Sequence, residues 1–150
     1  MNALIDCRKL TLLGVSLVAA MAILTGYSAY AVETVAVTLT DKGMDSMRMD
    51  ISANQVRAGK VTFNVTNSSQ TLVHEFIVAR SDKPVESLPY DERENEIKES
   101  AVQVANEIED IDPGKSGTLT VDLEPGSYLL LCNKAGHFKA GMFNRLTVIK

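Results

Sequence analysis

Apolar and polar side chains alternate with a period of two through most of the chain beyond residue 32, the pattern of strands with one buried face. Val35, Val37 and Leu39 alternate with polar neighbours over residues 35–40, and Met47, Met49 and Ile51 alternate with Arg48 and Asp50. Val61, Phe63 and Val65 repeat the pattern over 61–66, and Leu119, Val121 and Leu123 repeat it over 118–123. Residues 72–78 put Leu72, His74, Phe76 and Val78 on one face, so the His74 imidazole is expected to point toward the core. Residues 128–132 are apolar on both faces and predict a central strand, and residues 146–149 close the chain. Turn chemistry separates these runs at Gly59, at Asn67 to Gln70, at Asp112-Pro113-Gly114 and at Glu124-Pro125-Gly126. Seven short strands of this kind predict an all-β, Greek-key β-sandwich.

Residues 81–111 interrupt the rhythm. Asp82-Lys83-Pro84 and Leu88-Pro89-Tyr90 read as loops, and charge is dense from Asp91 onward. Ile97, Ala101, Val104, Ala105 and Ile108 then fall at i, i+4, i+7, i+8 and i+11, which predicts an acidic amphipathic helix as an insertion, with an extended alternative for residues 107–111. Asp91, Glu92 and Glu94 suit its N-terminus.

Composition changes the picture mainly at the start. Arg8 and Lys9 precede an uncharged, mostly apolar run over residues 10–26, and Ala29-Tyr30-Ala31 fits a small-x-small cleavage site. Residues 1–31 therefore read as a secretory signal, leaving 32–150 as one exported, periplasmic domain; an uncleaved segment would make it membrane-anchored. Cleavage removes Cys7 and leaves Cys132 as the single cysteine, which excludes an internal disulfide. The whole chain carries a net charge of −4, and an acidic balance argues against nucleic acid as a partner.

An unpaired thiol in an oxidising compartment calls for burial or a metal. Cys132 ends the central apolar run, and His137 and Met142 follow in the spacing Cys-x4-His-x4-Met, on a loop too long for a plain hairpin. The chain has two histidines in all, His74 and His137. Each residue alone has a plainer reading: a hydrogen-bonded core histidine, a small buried thiol, a packing methionine. Taken together they are a His2Cys set with a methionine, the composition of an electron-transfer copper site. Met44, Met47 and Met49 admit two readings, a thioether cluster for Cu(I) or the inward side of an alternating strand.

The segment from Cys132 to Met142, with Thr71 to Phe76, resembles the ligand regions of the cupredoxins, the small blue copper proteins. The spacing is similar to that of the rusticyanin, auracyanin and sulfocyanin members, with a longer Cys-to-His gap than plastocyanin has. The resemblance covers most of residues 33–150 and does not account for the insertion at 81–111. It implies one copper per chain cycling between Cu(I) and Cu(II), with His74, Cys132 and His137 as equatorial ligands and Met142 as axial ligand.

Several finer expectations follow. The Asn133 N–H is a candidate donor to the cysteine sulfur, and Glu75, alternating away from His74, is expected in solvent. His137, flanked by Ala135, Phe138 and Ala140, would offer an imidazole edge to a redox partner protein such as a cytochrome or oxidase. Lys134 and Lys139 would form a basic lip there, favouring an acidic docking surface. The chain is expected to be a monomeric one-electron carrier rather than an enzyme, because no histidine remains to bind an oxygen or nitrite substrate. The alternative is copper storage, delivery or tolerance at the same site. Zinc would fit a His2Cys set but would leave the methionine a poor ligand.

Overall fold

The computed structural model describes residues 32–150, so the signal read at residues 1–31 lies outside the described residues. Eleven strands run through them: β1 (Glu33–Asp41), β2 (Met47–Ile51), β3 (Gln55–Arg57), β4 (Gly59–Asn67), β5 (His74–Arg80), β6 (Tyr90–Asp91), β7 (Glu96–Ile97), β8 (Gln103–Ile111), β9 (Ser116–Leu123), β10 (Gly126–Leu131) and β11 (Phe143–Ile149). One sheet has the order β2-β1-β4-β9 and the facing sheet the order β3-β11-β10-β5-β8, with β6 and β7 as a separate small pair. The seven strands expected from the sequence are β1, β2, β4, β5, β9, β10 and β11, and the all-β sandwich they implied is the fold. β10 is central, as its two apolar faces required, with β5 and β11 antiparallel on either side of it.

Two apolar layers result. Between the sheets, Val35, Val37, Leu39, Phe63, Val65, Phe76, Val78, Leu130 and Leu146 are buried, with the Phe63 and Phe76 rings 5.2 Å apart between centroids. On the outer face of the larger sheet, Ile77, Ala79, Leu129 and Leu131 would otherwise meet water. Leu88 and Ile97 from the insertion cover them, with Val85, Tyr90 and Val102 packed alongside. The insertion is therefore a roof over the larger sheet, built from loop, two three-residue 3-10 turns, the β6–β7 pair and the edge strand β8.

The helix expected over residues 91–111 does not form, and the reason is specific. β8 pairs with β5 through two irregularities, each adding one residue to β8: Ile108 faces Phe76 and Ile111 faces His74, three residues against two. A second extra residue lies between Asn106, opposite Val78, and Val104, opposite Ala79. Val104, Ile108 and Ile111 thus recur at intervals of four and three in an extended strand, which imitates a helical stripe. The extended alternative for residues 107–111 is the one that holds.

This assignment separates two residues that a helical stripe would treat alike. Ile97 is 3% exposed under the roof, whereas Val104 is 37% exposed on the edge strand. Ile97→Ala should lower the unfolding free energy by about 2–4 kcal/mol and Val104→Ala by less than about 0.5 kcal/mol. Urea denaturation of the two variants measures both, and equal losses would contradict the roof.

Candidate metal centre

Each donor reaches the site from a different kind of support. His74 begins β5 with its ring fully buried on the inter-sheet side, as its phasing predicted. Cys132 follows the last residue of β10, where the central strand leaves the core, and is fully buried. His137 lies on the loop between β10 and β11, a compact series of turns. In it His137 N–H donates to Lys134 O, Ala140 N–H to Gly136 O, and Met142 N–H to His137 O. The loop is tied back to its own root, because Cys132 N–H donates to Met142 O at 3.0 Å. It is also tied to the opposite sheet, because Met47 N–H donates to Ala140 O at 2.9 Å. That approach needs Gly141, whose φ is +106° and whose Cβ would stand 2.7 Å from Met47 O.

Three donor atoms converge as a result. His74 Nδ1 and His137 Nδ1 are 3.1 Å apart, Cys132 Sγ is 3.3 Å from His137 Nδ1, and Sγ is 3.9 Å from His74 Nδ1. A point equidistant from all three lies about 2.0 Å from each, within reach of the ~2.0–2.3 Å bonds that imidazole and thiolate make to a transition metal. The residues present thus fit a metal ion of the kind the ligand set selects. Met142 is also fully buried, in the same core as Cys132, and its backbone closes the ligand loop.

The protonation states suit that use. Burial, followed by the neighbouring His74, pushes His137 down to about 4, and burial holds His74 below its ordinary range against the pull of Asp41. Both rings are therefore neutral near pH 7. Burial pushes the Cys132 thiol up to about 11, so the free thiol keeps its proton and gives it up to a metal.

The surroundings correct three expectations and add one residue. Cys132 Sγ accepts the backbone N–H of Glu75 at 3.4 Å, whereas Asn133 N–H donates to Glu75 Oε1 at 2.5 Å. Glu75 is therefore not in solvent: its side chain is 15% exposed, and burial raises its pKa against the Asn133 N–H and Lys134. Lys134 pairs with Asp110 at 2.5 Å and Lys139 with Glu92 at 2.7 Å, so neither supplies an unpaired basic lip. His137 is only 5% exposed, with Phe138 buried beside it. The methionines divide: Met47 and Met49 are core residues on the inward side of β2, and Met44 alone is exposed.

The residue that sequence reading missed is Asp41, at the end of β1. Its Oδ2 lies 3.2 Å from His74 Nε2 with its side chain 6% exposed. Burial disfavours its charge, but hydrogen bonds from Ser69, Gly43 and His74 outweigh this and hold its pKa below the usual carboxylate value. An ionised carboxylate only accepts, so His74 Nε2 carries the proton and Nδ1 keeps its lone pair toward the site. A polar residue ending a strand, two positions before Gly43, was the one local signal, and it does not identify its partner.

No protein-family model matches the sequence, and no curated protein matches it. Solved structures match its shape. The dithionite-reduced auracyanin of Roseiflexus castenholzii is 18% identical with a TM-score of 0.56, over 80% of this chain and 99% of that one. Auracyanin A of Chloroflexus aurantiacus, a "blue" copper protein, is 19% identical with a TM-score of 0.56, over 79% of this chain and all of that one. Rusticyanin of Thiobacillus ferrooxidans is 16% identical with a TM-score of 0.57, over 77% and 76%.

The acid response of the metal-free protein follows from the two rings. The unfolded chain binds a proton at His137 near pH 6.5 and the folded chain only near 4, so the unfolded state holds more protons in that window. The His137 contribution is present above pH 6.5 and is lost as pH falls toward 4. Thermal unfolding of the metal-free protein should show a Tm that drops across this window, and drops less in His137→Asn.

At identities this low the structural likenesses carry architecture, and on that ground the described chain is a cupredoxin in fold.

Proposed function

We propose that this protein is an exported, mononuclear type 1 copper protein that carries one electron at a time. In this reading His74, Cys132 and His137 are the equatorial ligands and Met142 is the axial ligand. The observation that supports it best is the convergence of three buried, neutral-side donors, two imidazole nitrogens and one thiol, within 3.9 Å of one another. Thiolate and imidazole together select copper or zinc, and a buried methionine on the same loop as His137 favours copper. The description of auracyanin A as a "blue" copper protein agrees with this choice. Bound copper would supply the Cu(I)/Cu(II) couple.

The chain's own contribution is to hold the donors nearly fixed. His74 sits on a strand in the core, and the loop carrying His137 and Met142 is bonded to β2 and to Cys132. A site braced in this way changes little between two oxidation states, which is what fast electron exchange needs. His137, the ligand with a small exposed edge, marks the end where a redox partner protein would dock. Residues 1–31 would direct export, and no helix among the described residues is long and apolar enough to cross a membrane. Copper handling through the methionines has less support, since Met47 and Met49 are core residues and Met44 is left as a lone surface thioether.

Titration of the metal-free protein with Cu(II), followed by visible absorption, tests the reading. One equivalent should produce an intense thiolate-to-Cu(II) band. Cys132→Ala should abolish that band, and Met142→Leu should keep it while shifting the reduction potential. Zinc retained in preference to copper, or undiminished colour in Cys132→Ala, would refute the assignment. Because binding displaces the thiol proton, apparent affinity should also rise about tenfold per pH unit around neutrality.

A further inference from the structure

We propose that Asp41 is a positioning residue for the metal site: its carboxylate fixes the His74 ring and, through the imidazole, favours the more highly charged state of the bound metal. The inference rests on the copper reading above and adds to it a determinant of the reduction potential.

The argument begins with how firmly the carboxylate is held. Asp41 Oδ1 accepts the Gly43 N–H at 3.1 Å, and the Ser68 N–H donates to Leu39 O at 2.8 Å, tying the end of β1 to the residues that follow β4. Ser69, the next residue, is fixed as well: its Oγ accepts the N–H groups of Thr71 and Leu72, and its own N–H donates to Asn67 Oδ1 at 2.8 Å. Asn67, fully buried, sends its amide to the carbonyls of Leu72 and Ile111, each at 2.8 Å. The mesh therefore joins the ends of β1 and β4, the approach to His74, and the end of β8. The contact with the ring is direct, Asp41 Oδ2 lying 3.2 Å from His74 Nε2 with both side chains buried.

Two effects follow from the chemistry of that contact. A carboxylate accepts and never donates, so it permits only the tautomer with the proton on Nε2 and the lone pair on Nδ1, the atom that faces Cys132 and His137. A full negative charge on the far side of the ring also makes Nδ1 a stronger donor, which stabilises Cu(II) more than Cu(I). A backbone carbonyl in the same place would orient the ring without bringing that charge.

The test compares wild type, Asp41→Asn and Asp41→Ala. Nitrogen-15 NMR of the metal-free proteins should show His74 wholly in the Nε2–H tautomer in wild type. Both variants should populate the Nδ1–H form, because asparagine can donate as well as accept and alanine does neither. After copper loading, the ratio of Cu(II) to Cu(I) affinity should fall about tenfold in Asp41→Asn, which raises the potential by about 59 mV for one electron. Thermal unfolding of the metal-free variants separates loss of fold from loss of position, and Asp41→Asn keeps the side-chain shape. An unchanged His74 tautomer in both variants overturns the positioning role, and an unchanged potential in both overturns the electronic one. If no variant takes up copper, wild type included, the copper reading fails while the tautomer result still decides the position of His74.

Discussion

Two imidazole nitrogens and a thiol sulfur, all out of water and all within 3.9 Å, are what the rest of this structure has to sustain. Each is a polar group whose burial costs free energy unless it is satisfied. In the metal-free protein hydrogen bonds can satisfy them, with His137 Nδ1 and His74 Nδ1 3.1 Å apart and the Glu75 N–H donating to Cys132 Sγ at 3.4 Å. A cation bound between them would satisfy all three at once. Gathering three donor atoms around one point requires rigid supports to hold them in place. β5 and β10, the two strands that bring His74 and Cys132, are neighbours in the middle of the larger sheet and are covered on both faces.

The insertion belongs to those supports. Without it, the outer face of β5 and β10 would expose Ile77, Leu129 and Leu131 to solvent. It also reaches the ligand loop directly. Gly136 N–H donates to Asn95 O at 2.7 Å, and Lys139 lies 3.9 Å over the Tyr90 ring while pairing with Glu92. Asn133 makes a two-bond join, its side chain accepting the Ile97 N–H at 2.8 Å and donating to Ile97 O at 3.0 Å. A segment rich in acid and poor in regular structure thus braces the loop that carries His137 and Met142.

Much of this was legible in the sequence, and the misses have physical causes. Strict alternation placed five of the seven expected strands and turned His74 inward, because a strand with one buried face leaves a period of two that no other element produces. Cys132 and His137 were legible because they are close together in the chain and chemically unlike their neighbours. β8 was misread because its two bulges replace that period by intervals of four and three. Glu75 was misread for a related reason: alternation gives the face of a side chain but does not reveal that the face is roofed. Asp41 was out of reach, since it lies 33 residues before His74 and meets it only after the sheets have packed.

The Asn133 join has a consequence for how this protein can change over time. The amide of Asn133 pairs with Ile97 in the way one strand residue pairs with another, though it belongs to the ligand loop. A loop transplanted from a relative with a different side chain at this position would leave the Ile97 N–H and carbonyl unmatched. Ligand loop and insertion are in that sense one heritable module, and a successful exchange of either between proteins would have to carry both halves of the clasp.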